Sequence, residues 1–136
     1  MRFETEEDRA RELKAISKYI SVVGGSYEKL GDNDIDFRVY DKQGKISGYV
    51  EVKGCLKQIK DSYPLKVSAR KIVKLSDKRL KPVIIWACLD GIIYTEVKKL
   101  NGRVRWGGRE QRAKSSHDQE VMLYFEKQPC MKYIRY

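Results

Sequence analysis

Histidine is almost missing from this chain: His117 is the only one in 136 residues. Without a second imidazole to share a metal or a proton relay, histidine-metal nucleases and histidine-based hydrolases are disfavoured. Cysteine is scarce and scattered. Cys55, Cys88 and Cys130 are odd in number and contain no CxxC, so reduced intracellular thiols are expected and neither a zinc motif nor a disulfide framework is read. No apolar run approaches the length that crosses a bilayer. The charged, acidic start MRFETEEDRARE is unlike a secretory or mitochondrial leader. Repeats, low-complexity tracts and evident linkers are lacking as well. Residues 1–136 therefore read as a single domain, long enough to bury a core.

What the chain has in excess is positive charge. Lysine and arginine total 29 against 19 acidic residues, a formal net charge of +10. Such an excess favours a polyanionic partner, nucleic acid ahead of an anionic membrane, over a domain that merely carries a basic surface.

Thr5 followed by three acids looks like a helix start, with Thr5 as N-cap and the acids favoured by the helix dipole. Leu13, Ile16, Ile20 and Val23 recur at helical spacing, so a helix is expected from about Glu6 to Val22, stopped by Gly24-Gly25. Ile35, Phe37 and Val39 alternate with Asp36 and Arg38 as in a strand. A turn at Asp41–Gly44 leads into a second strand, Ile46 to Val52, antiparallel to the first because the connection is so short. A polar loop ends at Tyr63-Pro64. Ser68 is a plausible N-cap for a helix carrying Ile72, Leu75 and Leu80. Val83–Leu89 is nearly continuous in apolar character, which suits a strand covered on both faces. Asp90-Gly91 turns it into Ile92–Val97. A basic loop from Gly107 to Gln119 precedes a last strand at Val121–Phe125. The fold class is α/β.

The charges at the end of the second strand need a reason. Glu51 and Lys53 alternate onto one face. In a hairpin the early part of one strand lies beside the late part of the other, so Asp36 neighbours Glu51. Two carboxylates held together repel unless a cation lies between them, and hard oxygen ligands suit Mg²⁺ or Mn²⁺. The Val52 carbonyl offers a further oxygen. A metal there acidifies water and neutralises a phosphodiester under attack, while Lys53 orients that water or stabilises the developing charge. Asp34 competes with Asp36 for this role, because both face the same side. Asp36 has the better strand context in Phe37 and Val39.

Asp36, Glu51-Val52-Lys53 and their two strands resemble the signature of the PD-(D/E)xK nuclease superfamily, with the polar Asn33-Asp34 turn where its proline usually stands. The likeness is to small phage- and prokaryote-type members with a Holliday-junction-resolvase-like core, and covers roughly residues 4–95. Thr5, Asp8 and Glu12 match a first-helix T-x-x-D-x-x-x-E pattern. Tyr63-Pro64 and Ser68-Ala69-Arg70-Lys71 match a Tyr-Pro and an S-x-x-K helix start, and Asp90-Gly91 a strand end. The resemblance implies a restriction-endonuclease-like core, a central mixed sheet flanked by helices in the order αβββαβ. It also implies metal binding by Asp36 and Glu51 with assistance from Lys53. Glu12, one turn before Ile16, gains a site role from the pattern match alone, against a solvated-glutamate reading and against Glu6 and Glu7.

Phosphate contacts are expected from Lys57 and Lys60, from Arg70 and Lys71, and from Arg103, Arg105, Arg109, Arg112 and Lys114. Ser68, foremost an N-cap, is the remaining candidate at that helix start. Trp106 packs in a core or stacks on a base. No separate base-reading module is recognisable. The expectation is a divalent-metal-dependent DNA endonuclease, structure-specific or weakly sequence-specific, acting in a prokaryotic or phage-infected cytoplasm, with a homodimer plausible. The rival is a non-catalytic DNA- or RNA-binding module that retains the fold.

Overall fold

The computed structural model describes residues 5–31, 35–76, 81–108 and 119–136. Helix α1 spans Glu6–Val23 and is followed by strands β1 (Ser26–Lys29), β2 (Phe37–Tyr40) and β3 (Ile46–Gly54). Then come β4 (Leu65–Ser68), helix α2 (Ala69–Ser76), β5 (Pro82–Ala87) and β6 (Gly91–Glu96). The chain closes with β7 (Arg103–Gly108), β8 (Gln119–Phe125) and β9 (Lys132–Arg135).

The expected start of α1 is present as a reciprocal cap. Thr5 Oγ1 accepts from the Asp8 N–H at 3.1 Å, and the Asp8 carboxylate accepts from the Thr5 N–H at 3.2 Å. Two otherwise orphaned donors are satisfied in this way. The Thr5 and Asp8 of the first-helix pattern thus serve helix geometry. At the other end the Gly24 N–H reaches the Ile20 carbonyl at 2.8 Å. Gly25 follows with φ +87, where a Cβ would lie 1.9 Å from the Tyr40 carbonyl oxygen. That contact sets β1 alongside β2. Gly25→Ala is expected to lower stability by about 1–3 kcal/mol through overpacking and backbone strain, read as a fall in the urea midpoint. An unchanged midpoint would show that β1 docks some other way.

Among the described residues the strands form two sheets. Six run in the order β1-β2-β3-β5-β6-β9, and three in the order β4-β8-β7. β2 and β3 are antiparallel, with Phe37 opposite Val50, across a turn in which Asp41 Oδ1 accepts from the Gln43 and Lys45 N–H groups, both at 2.9 Å. β3 and β5 are parallel, with Glu51 beside Ile84 and Lys53 beside Trp86. The larger sheet is therefore mixed.

Its two faces carry separate cores. α1 packs Ala15 and Ile16 on Phe37, Val39, Val50, Val83 and Ile85. On the other face Leu75 and Ile72 of α2 pack with Ile84, Trp86 and Ile93. β5, buried along its whole length, lies between them, as its unbroken apolar run requires. Trp86 joins the two sheets: its Nε1–H donates to the Lys66 carbonyl at 3.0 Å and its ring meets Phe125 edge-on at 5.9 Å.

Three features depart from the sequence expectation. β4 intervenes between β3 and α2, where a loop is expected. β1 and β9 add edge strands. β7 forms over Arg103–Gly108, where no strand is expected, and takes in the first residues of the expected Gly107–Gln119 loop. Leu80 lies outside the described residues. No described helix is long and apolar enough to cross a membrane.

Candidate metal and active centre

The β2–β3 ladder ends at Phe37 and Val50, and the centre forms where it stops. Asp36 stands one residue before β2, at a bend. Its Oδ2 accepts the Val52 N–H at 2.8 Å, taking the place a β2 carbonyl would fill had the strand continued. A strand residue's N–H and C=O leave by the same edge, so the Val52 carbonyl opens onto the same gap. The carboxylate is thus fixed by the backbone of the residue between Glu51 and Lys53.

Glu51 is only 4 % exposed. Alternation turns it and Lys53 to the α2 face, and Lys71 of α2 reaches down to it, Nζ to Oε2 at 3.1 Å. Burial, then the neighbouring charge of Asp36 and a carboxyl–carboxyl hydrogen bond with it, push Glu51 up to about 8, and Lys71 offsets only part of this. Lys71 alone leaves the charged form of Glu51 undercompensated.

A buried Glu51 and a half-buried Asp36 beside an open backbone carbonyl fit a hard divalent cation, which would relieve that repulsion. Asp36, Glu51 and the Val52 carbonyl are the residues that could hold one. Among the described residues no three Asp, Glu, His or Cys side chains converge into a ready-made cage, so the fit is two carboxylates and a carbonyl. Remaining positions would be filled by water and phosphate, as Mg²⁺ commonly accepts.

The raised Glu51 has a consequence for stability. The folded protein binds this proton more tightly than the unfolded chain, so the contribution is full below the ordinary value of 4.5 and is lost as pH rises to about 8. In EDTA the wild type is expected to lose stability from pH 5 to pH 8 relative to Glu51→Gln, measured as urea midpoints. Parallel profiles would place the proton elsewhere.

Glu12 reaches the centre through a lysine. It projects from α1 and pairs with Lys29 of β1, whose Nζ also lies 3.5 Å from Asp36 Oδ1. Glu6 and Glu7, the competing acids, are exposed in the first turn. Lys29 was not legible as a site residue, because the four-residue strand that carries it has almost no apolar alternation.

The remaining expected residues are spread more widely. Ser68 is buried, and its Oγ accepts from the Lys71 N–H at 3.4 Å, an N-cap contact. Arg70 is exposed at the start of α2, while Lys57 and Lys60 are exposed in the segment after β3. Arg103 and Arg105 belong to β7, opposite Tyr124 and Met122 of β8. Asp34, Arg109, Arg112, Lys114 and His117 lie outside the described residues.

A family model described as "Phage putative PDDEXK endonuclease" matches residues 1–131. The chain belongs to this family. The match runs well past residue 95, where the recognisable motifs end, and so takes in the second sheet but stops just before β9. No curated protein and no solved structure gives a significant match.

Proposed function

We propose that this PDDEXK family member is a divalent-metal-dependent DNA endonuclease centred on Asp36, Glu51 and Lys53. The observation that carries the reading is the buried Glu51, pressed against Asp36 and raised to about 8. Adjacent carboxyls with one buried are a characteristic setting for a bound cation.

The chemistry that Mg²⁺ or Mn²⁺ supplies there is charge neutralisation at the phosphate and a lowered pKa for water. The chain's own part is positioning. Asp36 and Glu51, with the Val52 carbonyl, hold the cation. Lys53, half-buried on the Glu51 face, orients the attacking water and stabilises charge developing on the phosphoryl oxygens. Lys71 sits on Glu51 at 3.1 Å and, once Glu51 faces a cation, is free to meet a phosphate. Glu12 acts on Asp36 by way of Lys29.

Arg70, Lys57 and the basic residues of β7 supply backbone contacts, which set affinity and its salt dependence without reading bases. Preference for branched, nicked or single-stranded DNA over a particular sequence accords with the lack of a base-reading module. Cutting both strands of a branch calls for two centres, hence a homodimer. A phage-encoded enzyme of this kind meets its DNA in the host cytoplasm.

The test is cleavage of plasmid, linear and branched DNA with Mg²⁺, Mn²⁺ or EDTA. Cutting is expected with either metal and none in EDTA. Binding without cutting under every condition would assign the chain to the non-catalytic class.

A further inference from the structure

Cys55 follows Gly54 at the end of β3, and Cys88 follows Ala87 at the end of β5. The parallel register pairs Gly54 with Ala87. The Cys55 N–H donates to the Ala87 carbonyl at 2.9 Å, so the pairing continues one step and brings the two cysteines side by side. Alternation turns both to the face of Lys53 and Trp86, where Cys55 packs against the cluster that includes Cys88. Both are free thiols, Cys88 buried and Cys55 half-buried. Neighbouring strands lie about 4.7–4.9 Å apart, within the Cα separation of roughly 4.4–6.8 Å that a disulfide spans.

The two sulfurs are electrostatically unequal. The adjacent Cys88 thiol, then the Lys57 N–H and the charges of Lys57 and Lys66, outweigh partial burial and hold the Cys55 thiol down at about 6, while Cys88 Sγ itself lies 3.8 Å from the Trp86 carbonyl. Contact with Cys55, with burial, pushes Cys88 up. The more accessible sulfur, Cys55, is the one whose thiolate is favoured, and the buried Cys88 is the one whose thiol is favoured, the division of labour of a nucleophile and a resolving thiol.

We propose that Cys55 and Cys88 form an oxidation site, in which Cys55 attacks a hydroperoxide and Cys88 resolves the product to a reversible Cys55–Cys88 disulfide. With hydrogen peroxide, the Cys55 sulfur forms a bond to one oxygen as the O–O bond breaks. The departing hydroxide takes a proton and leaves as water. Loss of the Cys55 negative charge removes what holds the proton on Cys88. Cys88 then attacks the Cys55 sulfur: the S–S bond forms, the S–O bond breaks, and the hydroxide leaves with the Cys88 proton as a second water. The two sulfurs lose two electrons and the peroxide gains them. The bridge would join the ends of β3 and β5 two residues beyond Lys53. It stands independently of the nuclease reading.

The experiment exposes the full chain to stoichiometric hydrogen peroxide, alkylates the remaining thiols and maps the peptides by mass spectrometry. A Cys55–Cys88 disulfide is expected as the main product, reversed by dithiothreitol, with Cys130 still alkylated. Cys88→Ser should leave a Cys55 sulfenic acid that dimedone traps, and Cys55→Ser should slow oxidation at least tenfold. Equal oxidation of all three cysteines, earlier oxidation of Cys130, or Cys55 oxidised in the wild type without a bond to Cys88 would overturn the proposal.

Discussion

Glu51→Gln is expected to reduce Mg²⁺-supported DNA cleavage by about 10²–10⁴-fold, the several kcal/mol that a metal contributes to transition-state charge, while the protein stays folded. The second half of that statement makes the first readable. Replacing a carboxylate that is 4 % exposed usually risks the fold. Here burial and Asp36 already favour the neutral form of Glu51, and glutamine has the same shape and no charge. It can still accept from Lys71, whose Nζ lies 3.1 Å from Oε2. Loss of activity would therefore report loss of a ligand charge. Circular dichroism and urea midpoints run beside the cleavage assay separate the two, and cleavage within twofold of wild type would remove Glu51 from the centre.

Lys53→Ala is expected to lose about 10²–10⁴-fold in cleavage rate, the usual scale for a positioned proton-transfer or charge-stabilising group, with Mn²⁺ affinity retained. Lys53 shares the face of Glu51 but is a cation, so its removal takes nothing from the metal's ligand set. It deletes the group that orients water and meets the developing charge. DNA binding should weaken only slightly, since one of many basic residues is lost. If Lys53→Ala instead lost metal and DNA together while its cleavage per bound complex stayed normal, the residue would be structural.

How far this site can be read from sequence depends on the kind of contact. The expected alternation through Asp36 itself fails, because Asp36 lies at a bend before β2, with Ile35 in the α2-side core and Phe37 and Val39 in the α1-side core. Glu51 is legible from side-chain alternation and Asp36 from a short hairpin that fixes which ends meet. The α1 cap is legible for a similar reason, since Thr5 and Asp8 are three residues apart and satisfy each other. The continuous burial of β5 is written in its composition. Lys29 is different: its strand is four residues long and mostly exposed, and its meaning lies in partners 7 and 17 residues away. β9 is similarly exposed and exists through its pairing with β6, while β4 hides behind Tyr63-Pro64 with only Leu65 and Val67 as apolar markers. The Cys55–Cys88 contact has no local signal at all. It follows from β3 and β5 being adjacent and parallel, a consequence of the crossover through α2.

The central claim is that Asp36 and Glu51 jointly bind a divalent cation, and Mn²⁺ titration followed by electron paramagnetic resonance, without DNA, tests it most directly. Wild type is expected to bind Mn²⁺ and Asp36→Asn to bind it at least tenfold more weakly, with Lys53→Ala close to wild type. Equal Mn²⁺ affinity in wild type and Asp36→Asn would contradict the account.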